Sequence, residues 1–148
     1  MSSLTRTVAS GTPEPVTLDE LKLHCKIDND SEDVQLNAYL MAARQALEEE
    51  YATALIPTTC VLKLDNFPFD CSYGEIELRI AHVSSVISIG YVDANGNSQT
   101  LSGSNYELDA FGTPARIRPA FGLSWPSTRV KMNAVTVTFM AGYATPDV

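Results

Sequence analysis

Apolar positions recur with a helical period over only one long stretch of the chain, Asp30 to Ala54. At about 100° per residue, Leu36, Leu40, Ala43, Leu47, Tyr51 and Ala54 fall on one stripe, flanked by Tyr39 and Ala46, and this stripe is expected to face a core. A second, weaker strip of Val34, Ala38, Met41 and Ala42 lies on the far side, with Arg44, Glu48 and Glu49 between the two. A helix with two apolar strips packs on two sides. Either a monomer's core takes both, or one of them is buried against another subunit. Asp30 or Ser31 is placed to cap the first free amides, Glu32 and Asp33 suit the positive end of the helix dipole, and Pro57 ends the element. The result is a helix of about 24 residues and about 36 Å.

Upstream, Thr17, Leu18, Asp19 and Glu20 form a capping box, and Val16 stands where a hydrophobic staple meets Leu21. A short helix follows, with Leu18, Leu21 and Cys25 on one side, and the turn Asp28, Asn29, Asp30 joins it to the long one. Met1 to Pro15 is rich in Ser, Thr, Gly and Pro. It reads as an extended arm with Leu4 and Val8 as its anchors, able to pack on a neighbour.

After Pro57 the period changes from 3.6 to 2. Cys60, Leu62 and Leu64 alternate with Val61, Lys63 and Asp65; Ile76, Leu78 and Ile80 alternate with Glu75, Glu77 and Arg79. Val83 to Val92 is a more apolar strand running into Asp93 to Asn97, where Asn95-Gly96 signals a type I′ hairpin returning through Gln99 to Leu101. Tyr106, Leu108 and Ala110 alternate before a turn at Phe111 to Pro114. Ala115 to Pro119 is a short strand displaying Arg116 and Arg118, and Val135 to Met140 is the last strand. Between them, Pro119 to Asn133 is an irregular loop of about 15 residues holding Trp125, a length usually associated with function or mobility.

The pattern gives an α+β protein: a small N-terminal helical part, one short and one long helix, with an antiparallel β-rich region. The divisions are an arm over 1–15, a helical hairpin over 16–57 and a β region over 58–148, forming one folding unit with the helices. Thr145, Pro146 and Asp147 carry helix-start chemistry, and two helices leave the long stripe little to close against. A C-terminal helix beyond Val148 is therefore expected, with an apolar groove beside Leu36, Leu40 and Leu47 where it belongs.

The 148 residues carry 18 acids and 10 bases, a net charge of −8. That balance disfavours tight binding of nucleic acid phosphates, which needs clustered Lys and Arg. No apolar run approaches the length of a membrane span, and Met1 to Gly11 lacks a signal peptide's apolar centre, so a soluble, non-secreted protein without membrane contact is the expectation. Cys25, Cys60 and Cys71 are odd in number and widely spaced, which suits packing residues in a reducing compartment better than a disulfide framework.

Each candidate site weakens on inspection. Asp28, Asp30 and Glu32 have calcium-loop spacing, but the required Gly is missing and Tyr39 stands where a Glu ligand belongs. His24 and His82 are isolated, which argues against zinc. Gly122 to Pro126 lacks the second glycine of a nucleophile elbow. No catalytic set, metal or cofactor is expected. Glu48, Glu49 and Glu50 read as a solvated helix end, although acids at the negative pole of a helix are unfavourable unless something basic approaches. One further reading is a β-rich module that recognises carbohydrate or a surface protein through Trp125, Tyr106 and Tyr143.

Seven short segments in order, however, resemble the head-to-tail connector proteins of long-tailed bacteriophages and related gene transfer particles. They are Pro15 to Lys22, Glu32-Asp33, Ala54 to Thr59, Tyr91 to Gly96, Ile117 to Pro119, Trp125-Pro126 and Val135 to Tyr143. The resemblance implies a structural adaptor in the virion neck, assembled in the host cytoplasm, and not an enzyme. It implies a self-assembled ring of twelve copies under the portal protein, which extends the DNA channel and docks a downstream neck, stopper or tail protein. DNA would pass without specific binding, and an acidic wall would repel its phosphates. On this reading Val34, Ala38, Met41 and Ala42, or the stripe opposite, form the subunit interface. Asn95, Gly96, Arg116, Arg118 and Trp125 would project towards the next neck protein or the channel. The resemblance also implies a C-terminal helix and tail that help grip the portal.

Overall fold

The computed structural model describes residues 2–9, 11–68 and 74–143. Two helices, α1 (Leu18–Cys25) and α2 (Asp33–Glu50), precede most of the strands. The strands are β1 (Ser2–Val8), β2 (Thr58–Leu64), β3 (Ile76–Leu78), β4 (Val83–Val92), β5 (Ser98–Leu101), β6 (Tyr106–Asp109), β7 (Ala115–Pro119) and β8 (Val135–Ala141). They form a five-stranded sheet in the order β1-β2-β8-β4-β5 and a three-stranded sheet in the order β3-β7-β6. Every pairing is antiparallel.

The period-2 pattern sets the register. Leu4, Leu62, Val137, Ile89 and Leu101 lie in one row across the large sheet. Ile76, Ile117 and Leu108 form the matching row on the small sheet. A one-residue slip would turn each row out to solvent, so burial fixes the pairing. Both rows feed one core that includes Phe67, Phe139 and Trp125. Sheet packs on sheet, and the helices are not needed to close it.

Four sequence expectations change here. The arm contains an edge strand: in β1, Leu4, Arg6 and Val8 are partly buried while Ser3, Thr5 and Thr7 are exposed, and the strand pairs with β2 along its length. Second, α2 has 18 residues, starts from Glu32 without a side-chain cap, and stops before Pro57. Asp30 and Asp33 take the Lys22 ammonium instead of capping, which ties α1 to α2. Ala52, at φ 47°, ends α2 in a left-handed turn, with the Thr53 amide reaching the Glu48 carbonyl and the Ala52 amide reaching Glu49. Third, Asn95 does not take the positive φ a type I′ turn demands; only Gly96 does, at 94°. The Gly96 amide bonds the Asp93 carbonyl and the Asp93 amide bonds Asn97, a three-residue loop with a glycine bulge.

The fourth change is the largest. The stripe read as a core face is only partly covered by the described residues: Leu36 and Leu40 are half-buried, but Leu47 is 50% and Tyr51 71% exposed, Ala43 is exposed, and only Ala54, past the helix end, is buried. Arg44 and Glu48 are the residues α2 buries. The capping box at Thr17 forms as expected, with reciprocal bonds between Thr17 and Glu20. Thr145, Pro146 and Asp147 lie outside the described residues, as does Cys71.

Candidate functional site

The junction of arm, helix and sheet is polar. Arg44 Nε donates to Glu14 Oε2 at 2.7 Å, and Nη1 donates to Glu48 Oε2 at 2.7 Å. The other Glu48 oxygen accepts the Leu55 amide at 2.8 Å, and Arg6 donates to the Glu48 carbonyl at 3.1 Å from the edge strand. Arg44 and Glu48 are each only 6% exposed. The bond to Glu14 holds the Arg44 guanidinium above its usual pKa, against the opposing pull of burial. Glu48 is thus a structural ion-pair partner and not part of a solvated acidic end, which corrects its assignment beside Glu49 and Glu50; those two are exposed. A cleft of about 770 Å³ opens beside this node, between the arm and α2, with Thr12, Met41 and Gln45 in its walls.

Breaking this node is expected to be costly. Arg44→Met keeps the apolar stem but removes the ion-pair partner of the buried Glu48 carboxylate, a loss that costs about 3–5 kcal/mol. Urea denaturation should report it as a lower midpoint with an unchanged slope.

On α2 one apolar strip faces outward along its length and the other does so at its C-terminal end, past the half-buried Leu36 and Leu40. Val34 is 87% and Met41 47% exposed, and Ala38 and Ala42 are exposed with them, as are Leu47 and Tyr51 on the opposite strip. An 18-residue helix that fully buries no apolar side chain has little of the packing that normally holds a helix in place.

The residues expected to project from the β region separate into three places. Asn95 and Gly96 sit at the hairpin tip, where the Arg129 guanidinium lies so close over Gly96 that an added Cβ would meet it at 2.5 Å. Arg116 and Arg118 stand on the outer face of the small sheet. Neither is a lone cation: Arg116 pairs with Asp109 at 2.7 Å and Glu75 at 3.3 Å, and Arg118 pairs with Glu107 at 3.1 Å. Trp125 is 8% exposed, stacked on Phe67 at 4.8 Å with rings 5° from parallel, and its indole N–H donates to the Gly74 carbonyl. The expectation of an exposed Trp is overturned, and the carbohydrate reading loses its main platform with it.

What projects instead are residues the pattern did not single out. Phe111, Phe121 and Val130 are fully exposed and Met132 is 80% exposed. The available signal was a large apolar side chain beside a turn glycine, Phe111-Gly112 and Phe121-Gly122. At the hairpin, Asp93 accepts the Asn97 and Asn95 amides, which holds its carboxyl below the usual aspartate range. A depressed folded value means that the contribution is present above the unfolded value and is lost as pH falls through the folded one. The Asn95 and Asn97 amide resonances should therefore shift as the Asp93 carboxylate is protonated on acidification.

Among the described residues, no group of three or more His, Cys, Asp or Glu is placed to hold a metal ion. His82 is taken up by a ring contact and hydrogen bond with Tyr143. Among the described residues, no helix is long and apolar enough to cross a membrane.

The family model described as phage gp6-like head-tail connector protein matches residues 15–105, more than half of the chain. A search of curated protein sequences found no match. Among solved structures, a chain from the virion of a native gene transfer agent particle is 26% identical with a TM-score of 0.75, covering 96% of this chain and 72% of that one. A chain from the neck of an empty gene transfer agent particle, computed with C6 symmetry, is 24% identical with a TM-score of 0.75 over 97% of this chain and 72% of that one. A third, from the neck of a native particle computed with C12 symmetry, is 22% identical with a TM-score of 0.68, covering 97% and 71%. The chain belongs to the phage gp6-like head-tail connector family, and its role is that of a structural connector.

Proposed function

We propose that this connector works as a ring of identical copies, twelve by analogy with the C12 neck, seated between the portal protein and the next neck or tail component. It performs no catalysis. Its channel wall lets DNA through without gripping it, in keeping with the net charge of −8 and with Arg116 and Arg118 being neutralised by their own carboxylates. The observation that carries this reading is α2, whose strip Val34, Ala38, Met41 and Ala42 is open in the single chain and whose opposite strip is half-covered at Leu36 and Leu40 and open at Leu47 and Tyr51. Burial between neighbouring copies gives the helix the packing its own sheet does not supply. The strip Val34, Ala38, Met41 and Ala42 meets one neighbour, and the Leu36, Leu40, Leu47 side meets another neighbour or a further helical segment.

Arm, hairpin and β region act as one folding unit, because β1 is stitched into the large sheet and Glu14 is locked to Arg44. Mass measurement by light scattering, alone and on purified portal, tests the ring: a closed multiple of the subunit mass is expected. A protein that stays monomeric in both settings overturns the proposal.

The tail-facing contacts fall to the exposed loop residues. Removing Gly122 to Ser127 would take Trp125 out of the core, so the informative change is smaller. Phe121→Ser together with Leu123→Ser is expected to leave folding and DNA packaging intact and to block tail attachment. Unchanged particle infectivity would count against this assignment.

A further inference from the structure

We infer that the loop Thr128 to Met132 of one copy docks on the C-terminal turn of α2 in the next copy; this contact rests on the ring reading above. The loop is built as a plug. Val130 is fully exposed, Met132 is 80% exposed, and Arg129 and Lys131 alternate with them. Among the described residues, Lys22, Arg44, Arg79, Arg116 and Arg118 all pair with carboxylates, whereas Arg129 and Lys131, like the scattered Arg6, Lys26 and Lys63, form no ion pair, and only Arg129 and Lys131 stand together on one loop. The loop is also fixed in place. The Arg129 amide bonds the Val92 carbonyl at 3.1 Å, Thr128 bridges to Asp93, and the Asn133 amide bonds Asp65 at 3.0 Å. A pre-positioned loop loses little freedom on binding.

The opposite chemistry stands on α2. Glu49 and Glu50 form no ion pair among the described residues, and the last turn holds no basic residue, so two acids sit unrelieved at the negative pole of the helix. Leu47 and Tyr51, half and mostly exposed, lie beside them. One surface is basic and apolar, the other acidic and apolar. They lie at opposite ends of β2: the Glu48 carboxylate holds the Leu55 amide just before the strand, and Asp65 holds the loop just after it. Seven residues of strand separate them by about 20 Å. A cyclic ring needs two different, complementary surfaces on each copy, and these two satisfy that requirement without meeting in the same chain.

Charge reversal tests the pairing. Arg129→Glu with Lys131→Glu alters two exposed side chains, and circular dichroism checks that the fold is kept. Under conditions in which the wild type forms rings, alone or on portal, this variant is expected to associate at least about tenfold more weakly. Adding Glu49→Lys and Glu50→Lys is expected to restore the rings. Rings unaffected by the reversal overturn the inference while the ring reading stands, as does a loss that the compensating pair does not restore. Intact rings that no longer bind another neck protein also overturn it, by giving the loop to that partner. A wild type that forms no ring in either setting removes both this contact and the reading beneath it.

Discussion

Trp125→Ala is expected to destabilise the protein by about 3–5 kcal/mol, the range for removing a large aromatic side chain from a core. The indole lies nearly parallel to Phe67, and Tyr91 meets the other edge of that cluster at 5.7 Å and 62°. The substitution therefore removes a stacked partner and opens a cavity between the sheets. It also strands the Gly74 carbonyl, which now accepts the indole N–H. Gly74 fits closely there, at φ 59°, with the place of a Cβ only 3.1 Å from the ring. Trp125→Phe should recover most of the packing and lose the hydrogen bond alone, about 1–2 kcal/mol. Urea denaturation separates the two variants; equal midpoints would mean that the indole N–H contributes nothing.

Met41→Asp is expected to abolish ring assembly while leaving the monomer's helical signal unchanged. Met41 is 47% exposed in the single chain and lies on an exposed strip with Ala38 and Ala42, so an aspartate there remains hydrated in the monomer. In a ring that buries this strip, every interface would hold an unpaired carboxylate, at several kcal/mol each, and would lose the apolar contact as well. Sedimentation of wild type and variant at equal concentration reads the difference directly. A ring that still assembles would place the interface elsewhere.

The sheets were largely legible because alternation carries both conformation and burial: Ile76, Leu78, Ile80, Val135, Val137 and Phe139 are buried where the pattern put them. α2 was legible only as a helix. Periodicity identifies an apolar face but not what covers it, so Leu36, Leu40 and Leu47 suggested a core that is instead made by sheet on sheet. The Arg44 and Glu48 node was missed for a related reason. Charged residues at i and i+4 usually mark a wet face, and the cation's other partner, Glu14, is 30 residues away. The strand in the arm had a signal, the alternation of Leu4, Arg6 and Val8, masked by the Ser and Thr around it. Trp125 was misplaced because its partners, Phe67 and Gly74, lie more than 50 residues upstream across the fold, where no local pattern reaches them.

The central claim is that the open strips of α2 are the ring's subunit contacts. A reconstruction of the particle neck tests it most directly. The account predicts Val34, Met41, Leu47 and Tyr51 of each copy in contact with a neighbouring copy around a closed ring. A neck in which α2 faces solvent, with the copies joined through other surfaces, would contradict it.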